Sequence, residues 1–242
     1  RLDAARRRRF GYMPEERGLY PKMRVDEQLV HLARLHGWSA ESARRRTMDL
    51  LDRLGLAARA HETLDALSLG NQQRAQVAAA LVHGPDVLVL DEPFSGLDPL
   101  AVDVMLAVLR ETAAAGVPVL FSSHQLELVE RLCDDVVVIS DGRIVAAGSP
   151  AQLRRRHGRA LHELAAGPDV GWVRDLPGVT VVELAADRAL FEADDDLAQS
   201  VLREALRRGP VTGFGQVEPT LGEIFREVIA EICSVVEGPV SA

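Results

Sequence analysis

The chain has 242 residues, 47% of them hydrophobic, and a formal charge of −8; a chain of this length buries about 70–75% of its unfolded surface, so its core needs no disulfide or metal staples. Cys133 and Cys233 are too few and too far apart for a disulfide framework or a metal site, the apolar runs fall far short of the roughly 18 residues that span a bilayer, and the Arg1 start shows no secretory leader, so a reducing cytoplasmic setting is expected. The 28 basic side chains are 27 Arg and one Lys, and Lys22, in Tyr20-Pro21-Lys22-Met23 with no glycine run before it, excludes a phosphate-cradling G-x-x-x-x-G-K-[ST] loop.

In chain order, the Arg6 to Arg9 run reads as a solvated end, with contact to anionic lipid or nucleic acid as the alternative. Asp26 to His83 has helical periodicity, broken at Gly37-Trp38-Ser39 and around Gly55 and Ala66. Leu29, Leu32, Ala33 and Leu35 share one face, as do Met48, Leu51 and Leu54, while Arg44 to Arg46 face water. Gly84-Pro85 stops the third helix. Short apolar runs at Val87 to Leu90, Val117 to Phe121 and Val136 to Ile139 then alternate with helical patterns at Pro99 to Ala115 and Gln125 to Leu132. That alternation predicts a parallel sheet with both faces covered. Asp141-Gly142 turns the chain into Arg143 to Ala147, a small edge hairpin.

The character changes near residue 155. Residues 1–155 hold 20 basic and 21 acidic groups, whereas 156–242 hold 8 and 15, a net −7 that argues against nucleic acid as a partner. Ala160 to Leu164, Val179 to Leu184, Arg188 to Ala193 and Val211 to Val217 read as strands, Leu197 to Arg208 as an amphipathic helix and Thr220 to Ile232 as a final helix. The order β, α, β, β, α, β predicts a split-βαβ, ferredoxin-like α+β unit over 156–236, followed by a tail at 237–242.

Three stretches carry chemistry. Val87 to Leu90 ends in Asp91 and Glu92, and carboxylates at the carboxyl end of a parallel strand face the crevice where ligands bind. Asp91 is suited to hold Mg²⁺ and Glu92 to polarise an attacking water; two acids that merely end a strand are the alternative. Leu67-Ser68-Leu69-Gly70-Asn71-Gln72-Gln73-Arg74 presents Ser68 and Gly70 at a helix N-terminus, where an anion is favoured; a plain helix cap explains them equally. His124 follows the second apolar run in Ser122-Ser123-His124 and can donate to a phosphate, although most isolated histidines do nothing catalytic.

These stretches, in this order and with Ser95-Gly96-Leu97-Asp98 directly after the carboxylate pair, resemble the ATP-binding subunit of ABC transporters over residues 1–155. The resemblance makes Leu67 to Asn71, with Gln72 after them, the signature, Asp91 and Glu92 the Walker B pair, Ser95 to Asp98 the D-loop and His124 the switch histidine. Phe10 to Tyr20 looks like the segment around the Q-loop, with Glu15 in place of the usual Gln. Leu69 stands where the family has its first signature Gly, and Asn71 where it has Gln. The stretch Val217 to Phe225 is similar to the end of an appended domain in some bacterial exporter ATPases, a subset that also has Gly-Asn-Gln-Gln in its signature and Glu in its Q-loop.

The resemblance implies ATP and Mg²⁺ as ligands, with Asp91 on the metal and Glu92 and His124 catalytic; Ser68, Gly70, Asn71, Gln72, Asp98 and Glu15 lie about the nucleotide. It implies a second ATP-binding subunit, most simply a homodimer clamping two nucleotides head to tail. It also implies a membrane permease subunit touched near Glu15 to Lys22, and a peripheral place on the cytoplasmic membrane face. Because the family's P-loop lies upstream of the Q-loop, the lone Lys leads to a further expectation. The chain is an N-terminally truncated piece carrying a partial P-loop NTPase domain (1–155, helical subdomain about 26–83), inactive alone; a scaffold or nucleotide sensor acting in trans is the alternative.

Overall fold

The computed structural model describes residues 3–16, 18–157, 160–167 and 169–225. Arg17, Cys233, the outer part of the expected last helix (226–232) and the tail 237–242 lie outside the described residues. The chain folds as two compact units, Arg1–His124 and Gln125–Ala242.

In the first unit a short helix, α1 (Ala4–Arg7), precedes β1 (Phe10–Met13). The expected helical segment follows as α2 (Val25–Leu35), α3 (Ala40–Arg53) and α4 (Leu69–Leu81), with 3-10 turns at Ala57–Arg59 and Leu64–Ala66 where the breaks were read. Ser39 starts α3 by accepting the Ser42 N–H at 3.1 Å, a cap that satisfies one orphan donor of the first turn. Leu29, Ala33, Leu50, Leu51 and Leu54 are buried where these helices meet; each such leucine contributes about 1.5–3 kcal/mol. Beyond α4 come β2 (Val87–Asp91), α5 (Pro99–Ala114) and β3 (Val119–Ser122).

The three strands form a parallel sheet in the order β1-β2-β3. Met13, Leu88 and Leu90 are 0–1% exposed on one face. A Cβ on Gly11 would lie 2.2 Å from the Ala80 carbonyl oxygen, so α4 presses directly on that face. The expectation of two covered faces needs correction: Tyr12 and Leu120, on the other face, are 61% and 65% exposed. A continuous apolar run reads the same whether one face or both are covered, because only the partner elements decide it.

The second unit starts with α6 (Leu126–Leu132), β4 (Val136–Ser140), β5 (Arg143–Gly148) and α7 (Pro150–His157). A second correction concerns Val136 to Ile139, expected alongside the parallel strands; β4 pairs antiparallel with β5 as a two-stranded hairpin. Asp141 and Gly142 close it with φ of +48° and +72°, as a two-residue I′ turn demands.

β6 (Leu161–Ala166), β7 (Thr180–Leu184), β8 (Arg188–Glu192), α8 (Asp195–Arg208) and β9 (Val211–Val217) complete the described unit, and 221–225 is helical. The sheet order is β7-β8-β6-β9, all neighbours antiparallel, as a split-βαβ chain requires. The first helix of that pattern is only a 3-10 turn, Gly171–Asp175. Pro177 accounts for its shortness, since Leu176 before it is pushed to extended geometry, φ −80° and ψ 127°. Phe191, Leu164, Val173 and Val201 form the unit's core.

Candidate functional site

Parallel pairing brings the carboxyl ends of β1, β2 and β3 to one edge of the sheet, with Met13 in register with Leu90 and Asp91 with Ser122. Glu15, Asp91, Glu92 and His124 therefore all leave the sheet at the edge where open α/β sheets bind ligands. Ser122 ties together Asp91, the last residue of β2, and Glu92 just past it: its hydroxyl donates to Asp91 Oδ1 and accepts the Glu92 N–H at 3.0 Å.

Glu92 has φ +46°, in the left-handed region that costs a residue other than Gly about 1–3 kcal/mol. Its carbonyl is held by Gln73 Nε2 at 2.9 Å and the Ser95 N–H at 3.2 Å, which keep the strained turn in place. The side chain is 18% exposed, and Oε1 stands 3.0 Å from His124 Nδ1, whose ring is 72% exposed. Oε2 is buried and has no hydrogen-bond partner among the described residues. A buried carboxylate oxygen left unpaired is costly unless something completes it.

A second cluster forms at the start of α4. Ser68 caps the helix by accepting the Asn71 N–H at 3.4 Å. A Cβ on Gly70 would lie 3.3 Å from Leu97 Cδ2 and 3.5 Å from the Gly96 carbonyl, so this turn packs against Ser95 to Asp98. Leu69 leans on Gly96 and is still half exposed. Asn71 Oδ1 accepts from Arg74 Nη2, and Arg74 Nη1 reaches the Leu54 carbonyl at 2.8 Å. Burial holds the Arg74 guanidinium below its ordinary pKa, with the nearby Asp98 charge working the other way. Gln72 is buried, its Nε2 donating to the Leu67 carbonyl at 2.8 Å. Asp98 caps α5 through the Ala101 N–H at 2.8 Å.

The structure thus brings Asp91, Glu92 and His124 into one cluster and Ser68, Gly70, Asn71 and Asp98 into another, and Gln73 links the two. Glu15 is exposed just past β1. Sequence reasoning passed over Ser122, Gln73 and Arg74; a hydroxyl two residues before His124 was the one available signal. Among the described residues no group of three or more His, Cys, Asp or Glu forms a metal cluster.

The family model described as ABC transporter matches residues 2–95, and that described as ATP-binding protein DrrA1-3-like, C-terminal domain, matches 148–229. An uncharacterised ABC transporter ATP-binding protein of Bacillus subtilis, YhaQ, is 35% identical over 225 residues, covering 93% of this chain and 76% of the relative. The Nod factor export ATP-binding protein I of Burkholderia orbicola is 41% identical over 170 residues, covering 70% of this chain and 56% of that one. A solved structure titled as the ATP-binding subunit of an ABC transporter superposes with a TM-score of 0.58 at 36% identity, covering 63% of each chain. The match of the family model over 2–95 overturns the expectation of an N-terminally truncated piece with a partial domain. A motif missing from 242 residues describes those residues and does not locate a cut.

Proposed function

Because the chain belongs to the ATP-binding proteins of ABC transporters, we propose that its chemistry runs at the carboxyl edge of the β1-β2-β3 sheet, with Glu92 as the catalytic carboxylate. The protein is an ABC-type ATPase subunit that couples ATP binding and hydrolysis to transport. The observation that carries the site is the Glu92 to His124 contact at 3.0 Å beside the unpartnered Oε2.

Phosphoryl transfer passes through a loose transition state, so catalysis is largely positioning and charge stabilisation. Glu92 Oε2, dry and unsatisfied, accepts a proton from the attacking water and aims its lone pair at the γ-phosphorus. Oε1 takes the Nδ1–H of His124, which fixes the ring. With Nδ1 turned to Glu92, Nε2 is the ring atom left to reach the γ-phosphate. Asp91, with the Ser122 hydroxyl beside it, offers the hard oxygen donors that Mg²⁺ takes. A Mg²⁺ ion held there together with ATP would neutralise the charge that develops on the transferring phosphoryl group. Glu15 adds a carboxylate at the same edge of the sheet, where it would influence a bound cation.

Ser68, the exposed cap of α4, and Gly70, half-buried in its first turn, serve the γ-phosphate of a nucleotide held by a second copy, with the helix dipole assisting. Asn71 and Gln72 brace that turn, the first through Arg74 and the second through Leu67, and Asp98 anchors the D-loop on α5. The functional domains are 1–155 and 156–236. A groove of about 300 Å³, lined by Phe10, Met13, Leu19, Leu32, His36 and His83 among others, receives a helix of the membrane subunit. Among the described residues no helix is long and apolar enough to cross a membrane, and a peripheral place on the cytoplasmic face follows from the permease partner. Likeness to the Nod factor export protein and to the DrrA1-3-like C-terminal domain supports export.

Glu92→Gln tests the reading. ATP turnover by the transporter assembled with its membrane subunit falls at least about 100-fold, while ATP still binds and ATP-dependent dimerisation persists. Turnover near the wild-type rate would refute it.

A further inference from the structure

The segment leaving β9 is tied to the helix that follows His124. Thr220 opens a helical turn with a reciprocal cap: its N–H and hydroxyl reach Glu223 Oε2 at 2.7 and 3.0 Å, and the Glu223 N–H returns to Thr220 Oγ1 at 3.3 Å. Leu221 and Ile224 are buried, 4% and 2% exposed. Arg154, on α7, sits at the centre. Its Nε donates to the Pro219 carbonyl at 3.2 Å, Nη1 stands 3.6 Å from Glu218 Oε2, and Nη2 pairs with Glu130 of α6. Glu130 Oε2 in turn accepts the Leu221 N–H at 3.4 Å. A Cβ on Gly222 would lie 3.8 Å from Leu126 Cδ1.

Arg154 and Glu130 are 24% and 23% exposed, so this is a largely desolvated pair and not a surface ornament. One guanidinium fork joins three elements: α7, the 217–225 segment and α6. Of these, α6 begins at Leu126, with only Gln125 between it and His124. A displacement of the 217–225 segment acts on α6, which follows His124 in the chain after Gln125 alone.

We propose that Arg154 and Glu130 are positioning residues for hydrolysis: they lock the 217–225 segment onto α6, and the appended domain thereby sets the geometry of His124. The inference rests on the reading of His124 as the γ-phosphate contact. Its physical basis is the steep dependence of phosphoryl transfer on placement, where a displacement near 1 Å costs on the order of 100-fold.

The test is a double-mutant cycle on ATP turnover by the full chain assembled with its membrane subunit. Arg154→Ala and Glu130→Gln each lower kcat roughly tenfold, with KM for ATP changed less than about twofold, and Arg154→Lys, which keeps a cation at Glu130, recovers part of the loss. In a His124→Ala background, Arg154→Ala has no further effect, because the geometry it guards is already gone. Thermal unfolding of each variant separates misfolding from misplacement, and the lysine variant keeps the cycle informative if alanine unfolds the chain. The inference is overturned if both clamp variants turn over ATP at the wild-type rate, or if Arg154→Ala multiplies the His124→Ala loss in full. If His124→Ala alone leaves kcat unchanged, the assignment of His124 falls first and this inference with it.

Discussion

The side-chain amide of Gln73 donates to the main-chain carbonyl of Glu92 at 2.9 Å, across 19 residues of chain. It fixes the one turn whose φ, +46°, a glutamate does not adopt willingly. Gln73→Leu removes the donor while the Ser95 N–H still satisfies the carbonyl, so the stability loss is small, about 1 kcal/mol. The larger effect falls on kcat, lowered roughly tenfold with KM for ATP nearly constant, since the catalytic carboxylate loses its fixed aim. Steady-state kinetics beside a denaturant titration checks it; a rise in KM alone would place Gln73 in nucleotide binding instead.

Leu69 occupies the position where a glycine stands in the resembled signature, and the structure gives that departure a contact. Its Cδ2 lies 2.9 Å from where a Cβ on Gly96 would be, and Gly96 has φ +71°. Gly96→Ala therefore combines left-handed strain of about 1–2 kcal/mol with a clash against the end of a flexible side chain. Adding Leu69→Gly relieves the clash and leaves the strain, so the double variant recovers part of the lost stability. Melting temperatures of the two single variants and the double variant decide it; full recovery would mean that strain at residue 96 contributes nothing.

How much of this was legible in the sequence depends on distance along the chain. Ser68 as a cap and the Asp-Gly hairpin turn are local signals, and each feature stands where the residues predict it. Asp91, Glu92 and His124 were readable as a set because they close two successive strands. Ser122 was not, because its role exists only once Asp91 and Ser122 are paired in register. The uncovered sheet face and the pairing of β4 with β5 were equally hidden, since an apolar run names no partner. Lys22, the one lysine of the chain, pairs with Asp65 at the surface, a role that carries no information about where a domain begins.

Gly11 marks the closest approach between β1 and α4. A methyl group there would meet the Ala80 carbonyl oxygen at 2.2 Å and Leu88 Cδ1 at 2.8 Å. The first of these is backbone and cannot rotate away, so Gly11→Ala must push α4 off the sheet. Overpacking of this kind costs about 1–3 kcal/mol or more, and here it also widens the groove that the permease helix is proposed to fill. Loss of stability should therefore accompany weaker assembly with the membrane subunit, measured by co-purification. An alanine variant as stable as the parent would contradict the packing described.

His83 lines that groove, stacked on His36 with ring centroids 4.1 Å apart and planes 23° from parallel. Burial, and then the charge His36 carries when protonated, push the His83 pKa below its ordinary 6.5; hydrogen bonds to the Phe10 and Ala79 carbonyls oppose this without overcoming it. The native state thus resists the proton that the unfolded chain accepts. Stability from this group is complete above pH 6.5, declines as pH falls from 6.5 to the lower native pKa, and levels off below it. His83→Gln abolishes that decline, so the variant's melting temperature falls less steeply between pH 7 and pH 5 than the parent's. Trp38, whose Nε1 donates to the His83 carbonyl at 3.1 Å, provides the fluorescence signal. A steeper fall in the variant would reverse the sign and remove His83 as the source.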